Sequence, residues 1–400
     1  MLLHGIGTLI AWNVFITIAP LYYIGLKLKS DPATGEKPSY ETNFMNYVCI
    51  CSQIPNLIIN AVGMFSSKGN LMIRIVASLA FVAASTVFTI AFVYVDTSAW
   101  KFGFFVLTMV SVMVLNAANG FYQNSIFGLV GSFPGKYINA VVLGNNFCGL
   151  FVTVLSALTT YFIQDVQLNA AVYFSIAFLL LLLCIASFLY VRTNPYFKYQ
   201  VSLAQSAADA QNTELGLNEY LRVFKACWPR LLNVFYVFFI TLLLFPSVML
   251  DIKLYPNDRK YDLIIPEKMF ALVFVFINFN VCTVIGSKLA DFVQWPSRKY
   301  VWVPIYGRTI FVLLLLFSNY VPSGYRTLPV LVPNEWSVFV IISLMSISHG
   351  YLSSLSMMYA PQGMDAATAR TIGKMSSFFI VSGVAAGIAA SFLANLIVHI

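Results

Sequence analysis

Apolar runs of about twenty residues follow one another along almost the whole chain. That is the length a helix needs to cross the hydrocarbon of a bilayer. They fall near 2–26, 43–65, 72–95, 102–130, 137–163 and 170–191, then 231–250, 269–292, 300–320, 336–359 and 371–398. Between the two groups lies one long interruption, 192–230, reading in part QSAADAQNTELGLNEYLRVFK, which has no continuous apolar run. With 60% hydrophobic and 10% charged residues, against about 25% charged in soluble domains, such a chain has lipid as its solvent. The expectation is an all-α polytopic membrane protein of eleven transmembrane helices. Residues 1–191 form a six-helix half, 192–230 a cytoplasmic linker, and 231–400 a five-helix half.

The first run starts at residue 2, lacks a basic leader and continues past Leu21, so it reads as a span rather than a cleaved signal. The net charge of +8 sits in loops, where it serves orientation rather than nucleic-acid binding. Lys and Arg concentrate in the segments that face one side if the N-terminus is inside, among them Lys68, Lys136, Arg192, Lys198, Arg230, Arg298 and Lys299. The positive-inside rule then places the N-terminus and the linker in the cytoplasm and the C-terminus outside. The linker reads as mobile, with a short amphipathic helix around Leu217–Phe224. The six cysteines (Cys49, Cys51, Cys148, Cys184, Cys227 and Cys282) show no metal spacing and read as small buried side chains.

Helices in lipid pack through small residues. Gly383, Gly387 and Ser391 form such a run in the last span; Gly144 and Gly149 serve the fifth, and Gly128 and Ser132 the fourth. Pro20, Pro55 and Pro246 are kinks that a membrane helix tolerates.

Four spans carry polar residues on one face, at about i, i+3 and i+7. These are Gln53, Asn56 and Asn60; Asn116, Asn119 and Gln123; Asn280, Thr283 and Ser287; and His349, Ser353 and Ser356. An amide facing hydrocarbon is costly, so each stripe must meet another helix or a wet cavity. Helix-to-helix hydrogen bonding would account for any single stripe. Four together, two per half, point to one shared cavity for a neutral, hydrogen-bonding solute. Charge at membrane depth, usual in pumps and proton-coupled carriers, is scarce: Arg74, Lys288, Asp291, Arg308 and Lys374 fall near inner span ends. His349 is the one titratable group expected deep, as a neutral hydrogen-bonding imidazole. The chain carries no Walker loop, GxSxG or HExxH, and its three His are scattered. The reading is therefore no enzyme, no cofactor and no metal, with passive movement of solute.

Specific residues resemble the equilibrative nucleoside transporters. They are GTLIAWNVFIT (Gly7–Thr17), QNSIFGLVGSFP (Gln123–Pro134), LFPSV (Leu244–Val248), the pair Trp295–Pro296, and HGYLSSLSMMYAP (His349–Pro361), in order along nearly the whole chain. The resemblance implies a fold like the major facilitator superfamily with one helix fewer, in a 6+5 arrangement, working by alternating access. It implies solute contacts at Leu9, Trp12, Asn13 and Ile16, a base-reading role for Gln123, and gating aromatics at Phe245 and Phe276, where core packing is the plain alternative. Gln53 and Asn56 fall where relatives carry apolar residues. Two positions depart from the family. Thr283 and Ser287 stand where an Asp and an Arg engage the ribose, and Ala11 where a proline precedes the Trp-Asn pair. The substrate-binding set expected is thus Leu9, Trp12, Asn13, Ile16, Gln53, Asn56, Asn119, Gln123, Asn280, Thr283, Ser287 and His349. The expected function is facilitative transport of nucleosides or nucleobases, in the plasma membrane, with the lipid bilayer and the solute as partners. No nucleic-acid or protein partner is expected. A carrier of another small polar or cationic solute, or a non-transporting scaffold, is the alternative reading.

Overall fold

The structure, a computed structural model, describes residues 1–30, 38–65, 71–210, 217–252, 270–322 and 326–397. Lys68, His399 and most of the basic loop after residue 252 lie outside them. Among the described residues, ten helices are long and apolar enough to cross a membrane. They are α1 (Leu2–Lys27), α2 (Phe44–Phe65), α3 (Leu71–Tyr94), α4 (Ser98–Gly131), α5 (Gly135–Phe162), α6 (Val166–Val191), α7 (Tyr220–Leu250), α8 (Ala271–Phe292), α10 (Glu335–Tyr359) and α11 (Ala366–Ala394). Between α8 and α10 lies a shorter apolar stretch, α9 (Trp302–Leu316), whose helical hydrogen bonding is interrupted at Arg308. Fifteen residues of helix rise only about 22 Å, short of the roughly 30 Å hydrocarbon core. The described residues thus form ten helices of spanning length where the sequence reading expects eleven.

Helix ends follow from local chemistry. Asp165 accepts the Leu168 N–H at 2.9 Å and starts α6, and Asn334 accepts the Trp336 N–H at 2.8 Å and starts α10. Such side-chain oxygens satisfy amides that the first helical turn leaves unpaired. On α2, Ile50, Ile54, Ile58 and Val62 are all more than half exposed; spaced by four, they form an apolar stripe that only lipid can cover.

Before the linker, α1 packs on α5 and α6, α2 on α4, and α3 on α4 and α6. After it, α7 packs on α11 and α10, and α8 on α10. Contact between the two groups runs through α4 and α2 against α11, and through α5 against α8 and α10. Several crossings depend on glycine. A Cβ at Gly5 or Gly144 would run into backbone of the partner helix where α1 crosses α5, and one at Gly373 would strike the Phe127 carbonyl where α11 crosses α4. Gly383 and Gly387 face the Phe235 and Phe239 carbonyls of α7, a small-residue contact of the kind read from the sequence.

The interruption differs from the expected mobile linker. It contains a helix, Pro195–Ala210. A second helix extends continuously from Leu217 into α7, because Tyr220, Val223, Cys227 and Leu231 give it an apolar stripe buried with Ile372 and Met375 of α11. All six cysteines are free thiols.

Candidate functional site

Amides on α2 and α4 cannot face lipid without losing their hydrogen bonds, so both helices turn them inward. The result is a cavity of about 130 Å³ between the two helix groups. Leu9 and Trp12 enter from α1, Gln53 and Asn56 from α2, Asn116, Asn119 and Gln123 from α4, and Asn145 and Asn146 from α5. From the opposite side come only Phe238 of α7 and Ile380, Val381 and Val384 of α11. Among the described residues, the lining holds no charged side chain. One wall is rich in amides and the other is apolar.

The amides are held in defined orientations. Asn119 donates to the Thr8 carbonyl at 2.6 Å, which commits its nitrogen and leaves Oδ1 a buried acceptor without a donor among the described residues. Gln53 Oε1 is in the same condition. Asn145 is oriented with its nitrogen toward Gly5 O at 2.8 Å and Thr8 Oγ1 at 2.7 Å, tying α5 to α1. Asn146 Nδ2 donates to Ser287 Oγ of α8 at 2.7 Å. Gln123, only 3% exposed, makes no side-chain hydrogen bond among the described residues.

Leu9, Trp12, Gln53, Asn56, Asn119 and Gln123, all singled out in the sequence, therefore converge on one cavity. Asn13 and Ile16 are not among its lining residues. Asn13 Nδ2 instead meets Cys148 Sγ at 3.6 Å, and Ile16 is half-buried farther along α1.

The two stripes after the linker do not reach the cavity either, which corrects the expected placement of Asn280, Thr283, Ser287 and His349. Asn280 donates to Thr153 Oγ1 of α5 at 3.3 Å. Thr283 is buried where α8 meets α10, and a Cβ at Gly350 would run into its carbonyl. Ser287 Oγ donates to Gly350 O at 3.2 Å. Gly286 and Gly350 bring the two backbones so close that these small polar side chains pack rather than line a space. His349 sits behind Phe238, edge-on at 5.2 Å, and its Nδ1 meets Thr241 Oγ1 at 2.9 Å. Phe245 and Phe276 meet edge to face at 5.7 Å, and Phe245 also stacks on Phe279 at 3.7 Å.

Arg308 is also placed differently from the sequence reading. Instead of a span-end cation it is a buried one, 1% exposed at the break in α9. Its guanidinium donates to Val237 O at 2.7 Å, Thr241 Oγ1 at 2.8 Å and Ser348 Oγ at 3.1 Å. Lys288 and Asp291 do pair, at 2.7 Å. Asn145 and Asn146, adjacent amides that make no stripe in the sequence, line the cavity as well, as does Asn116.

Two packed helix groups around a central cavity make a fold like that of solved major facilitator superfamily transporters. The solved transporter FucP, described as a major facilitator superfamily protein in the outward conformation, is similar with a TM-score of 0.62 at 14% identity, over 99% of this chain and 91% of its own. The proton:xylose symporter XylE is similar with a TM-score of 0.55 at 14% identity, over 98% and 85%. Residues 109–396 match the nucleoside transporter family, and the chain belongs to that family. It is 26% identical to equilibrative nucleoside transporter 1 of Rattus norvegicus over 98% of this chain and 95% of the relative. It is also 26% identical to equilibrative nucleoside transporter 2 of Homo sapiens over 97% and 94%. Equilibrative nucleotide transporter 1 of Arabidopsis thaliana is 22% identical over 96% and 82%.

Proposed function

We propose that the chain carries nucleosides or nucleobases down their concentration gradient by alternating access, with the amide-lined cavity as the solute site. The observation that carries this reading is the two-walled lining. The amides of α2 and α4 offer uncharged donors and acceptors for the edge of a base, and Phe238, Ile380, Val381 and Val384 offer an apolar surface for its face. Trp12 and Leu9 complete the enclosure from α1. Because Thr283 and Ser287 are used in helix packing, no carboxylate or guanidinium awaits the ribose. A base recognised without an anchored sugar hydroxyl is the solute this cavity suits best.

In the same reading α9 is the eleventh span, the helices divide six and five about the linker, and the linker end is cytoplasmic in a plasma-membrane protein. Residues 1–191 and 231–400 are then two rocking halves. Asn139 of α5, which donates to Asp291 Oδ1 of α8 at 2.6 Å, and the Gly131–Gly373 crossing hold that end shut, and both contacts must open for release to the inside. Phe245 and Phe276 stand toward the opposite end as its gate. Uptake of labelled uridine, adenosine and adenine into vesicles holding the purified chain tests the assignment. Saturable uptake of at least one supports it, whereas rates equal to those of empty vesicles for all three would remove it.

A further inference from the structure

Asn60 belongs to the α2 stripe but does not line the cavity; it is fully buried behind it. Its Nδ2 reaches the Asn56 carbonyl at 3.0 Å and Asn56 Oδ1 at 2.8 Å. Its Oδ1 accepts from Ser377 Oγ of α11 at 2.7 Å. A backbone carbonyl can only accept, so the nitrogen end of Asn60 must face it, and the orientation of this amide is fixed by its surroundings. That in turn fixes Asn56. Its Oδ1 is held by Asn60 and lies over Gly120 of α4, where an added Cβ would come within 2.9 Å of it. The Asn56 Nδ2 has no hydrogen-bond partner among the described residues, and Asn56 lines the cavity.

We propose that Ser377 and Asn60 are positioning residues, forming a hydrogen-bond relay from α11 through α2 that sets Asn56 as a donor to an acceptor atom on the base. The proposal rests on the cavity being the solute site. A freely turning asparagine could meet either a donor or an acceptor; a pinned one favours the solute that places an oxygen or an unprotonated ring nitrogen at the one position it faces. Uridine and cytidine, and likewise inosine and adenosine, are near-isosteric pairs in which acceptors and donors are exchanged along one edge. A fixed donor therefore separates the members of a pair, and a released one does not. Leaving a buried polar group unpaired is what makes such sites selective.

The test measures uptake kcat/KM for both pairs in vesicles containing the full chain. The wild type is expected to discriminate within at least one pair by about fivefold. Asn56→Leu should bring that ratio close to one. Asn60→Ala should do the same, and Ser377→Ala should lower it in part. In an Asn56→Leu background, Asn60→Ala should change the ratio no further, since Asn60 acts through Asn56. The relay is overturned if the wild type discriminates in neither pair. It is equally overturned if Asn60→Ala slows all four solutes alike with the ratio intact, the mark of a residue that only supports the fold. Ser377→Ala, a smaller change at the same relay, keeps the test open if Asn60→Ala does not fold. A wild type that moves none of the four nucleosides and no adenine would instead defeat the assignment of the cavity; one that moves adenine alone is read with adenine and hypoxanthine as the pair.

Discussion

Gln123 enters the cavity from α4 with neither end of its amide engaged by the described protein, which makes it the side chain whose loss is easiest to read. Gln123→Ala should raise the KM for uridine or adenosine about fivefold to tenfold, with surface expression unchanged, as the loss of one hydrogen bond predicts. Thr283 and Ser287 give the opposite case. Restoring an Asp and an Arg there looks, from the sequence, like a way to recover ribose binding. In the structure both positions are sealed between α8 and α10, and the second also against α5, so Thr283→Asp with Ser287→Arg should lower the yield of folded protein and leave riboside affinity no better. Thermal melting in detergent and uptake kinetics separate the two outcomes. These positions also show what a polar pattern in an apolar helix can tell. Gln53, Asn56, Asn119 and Gln123 reach the cavity, whereas Asn280, an amide in a stripe of the same spacing, is used on Thr153 of α5. Thr283, Ser287 and Ser353 have the same spacing but are small: the two serines donate to the Gly350 carbonyl, Thr283 is buried at the same seam, and such side chains let helices approach. Spacing alone does not separate a wet wall from a tight seam.

Among the elements, the crossing of α4 with α11 and the broken α9 carry the clearest expectations. Gly373 lies against the Phe127 carbonyl, so Gly373→Val cannot be absorbed without separating the helices. Transport should fall more than tenfold while the protein still reaches the membrane, because the state closed at the linker end no longer forms. Uptake normalised to surface protein measures this. Arg308 holds α9 to α7 and α10 through a planar fork that lysine cannot reproduce. Arg308→Lys should cost about 2 kcal/mol and lower the melting temperature by roughly 2–4 °C. The ten long helices were readable from their apolar runs. The ninth segment was harder, since a stretch that buries a cation against neighbouring helices is shorter and less regular than one that faces lipid. The extension of α7 back to Leu217 was hidden because its stripe is apolar only on the side facing α11.

For the whole molecule, membership of the nucleoside transporter family, with equilibrative transporters as relatives, leads to the expectation that the solute gradient alone drives movement. Uridine in vesicles should level off at equal concentrations inside and outside, and an imposed pH gradient should not change the plateau. Accumulation above the outside concentration would count against facilitated diffusion. The assigned sidedness is tested separately. A cysteine introduced at Tyr199 of the linker helix should react with an impermeant maleimide in cells only after permeabilisation. The division of labour across the cavity has a further use. A competitive inhibitor built on a base cannot grow toward α2 and α4 without forfeiting amide contacts, but it can extend toward Ile380, Val381 and Val384. There each methylene it buries is worth about 0.8 kcal/mol, close to a fourfold gain in potency. Tight blockers of this carrier should therefore be lopsided molecules, with a bare heterocyclic edge on one flank and a greasy substituent on the other.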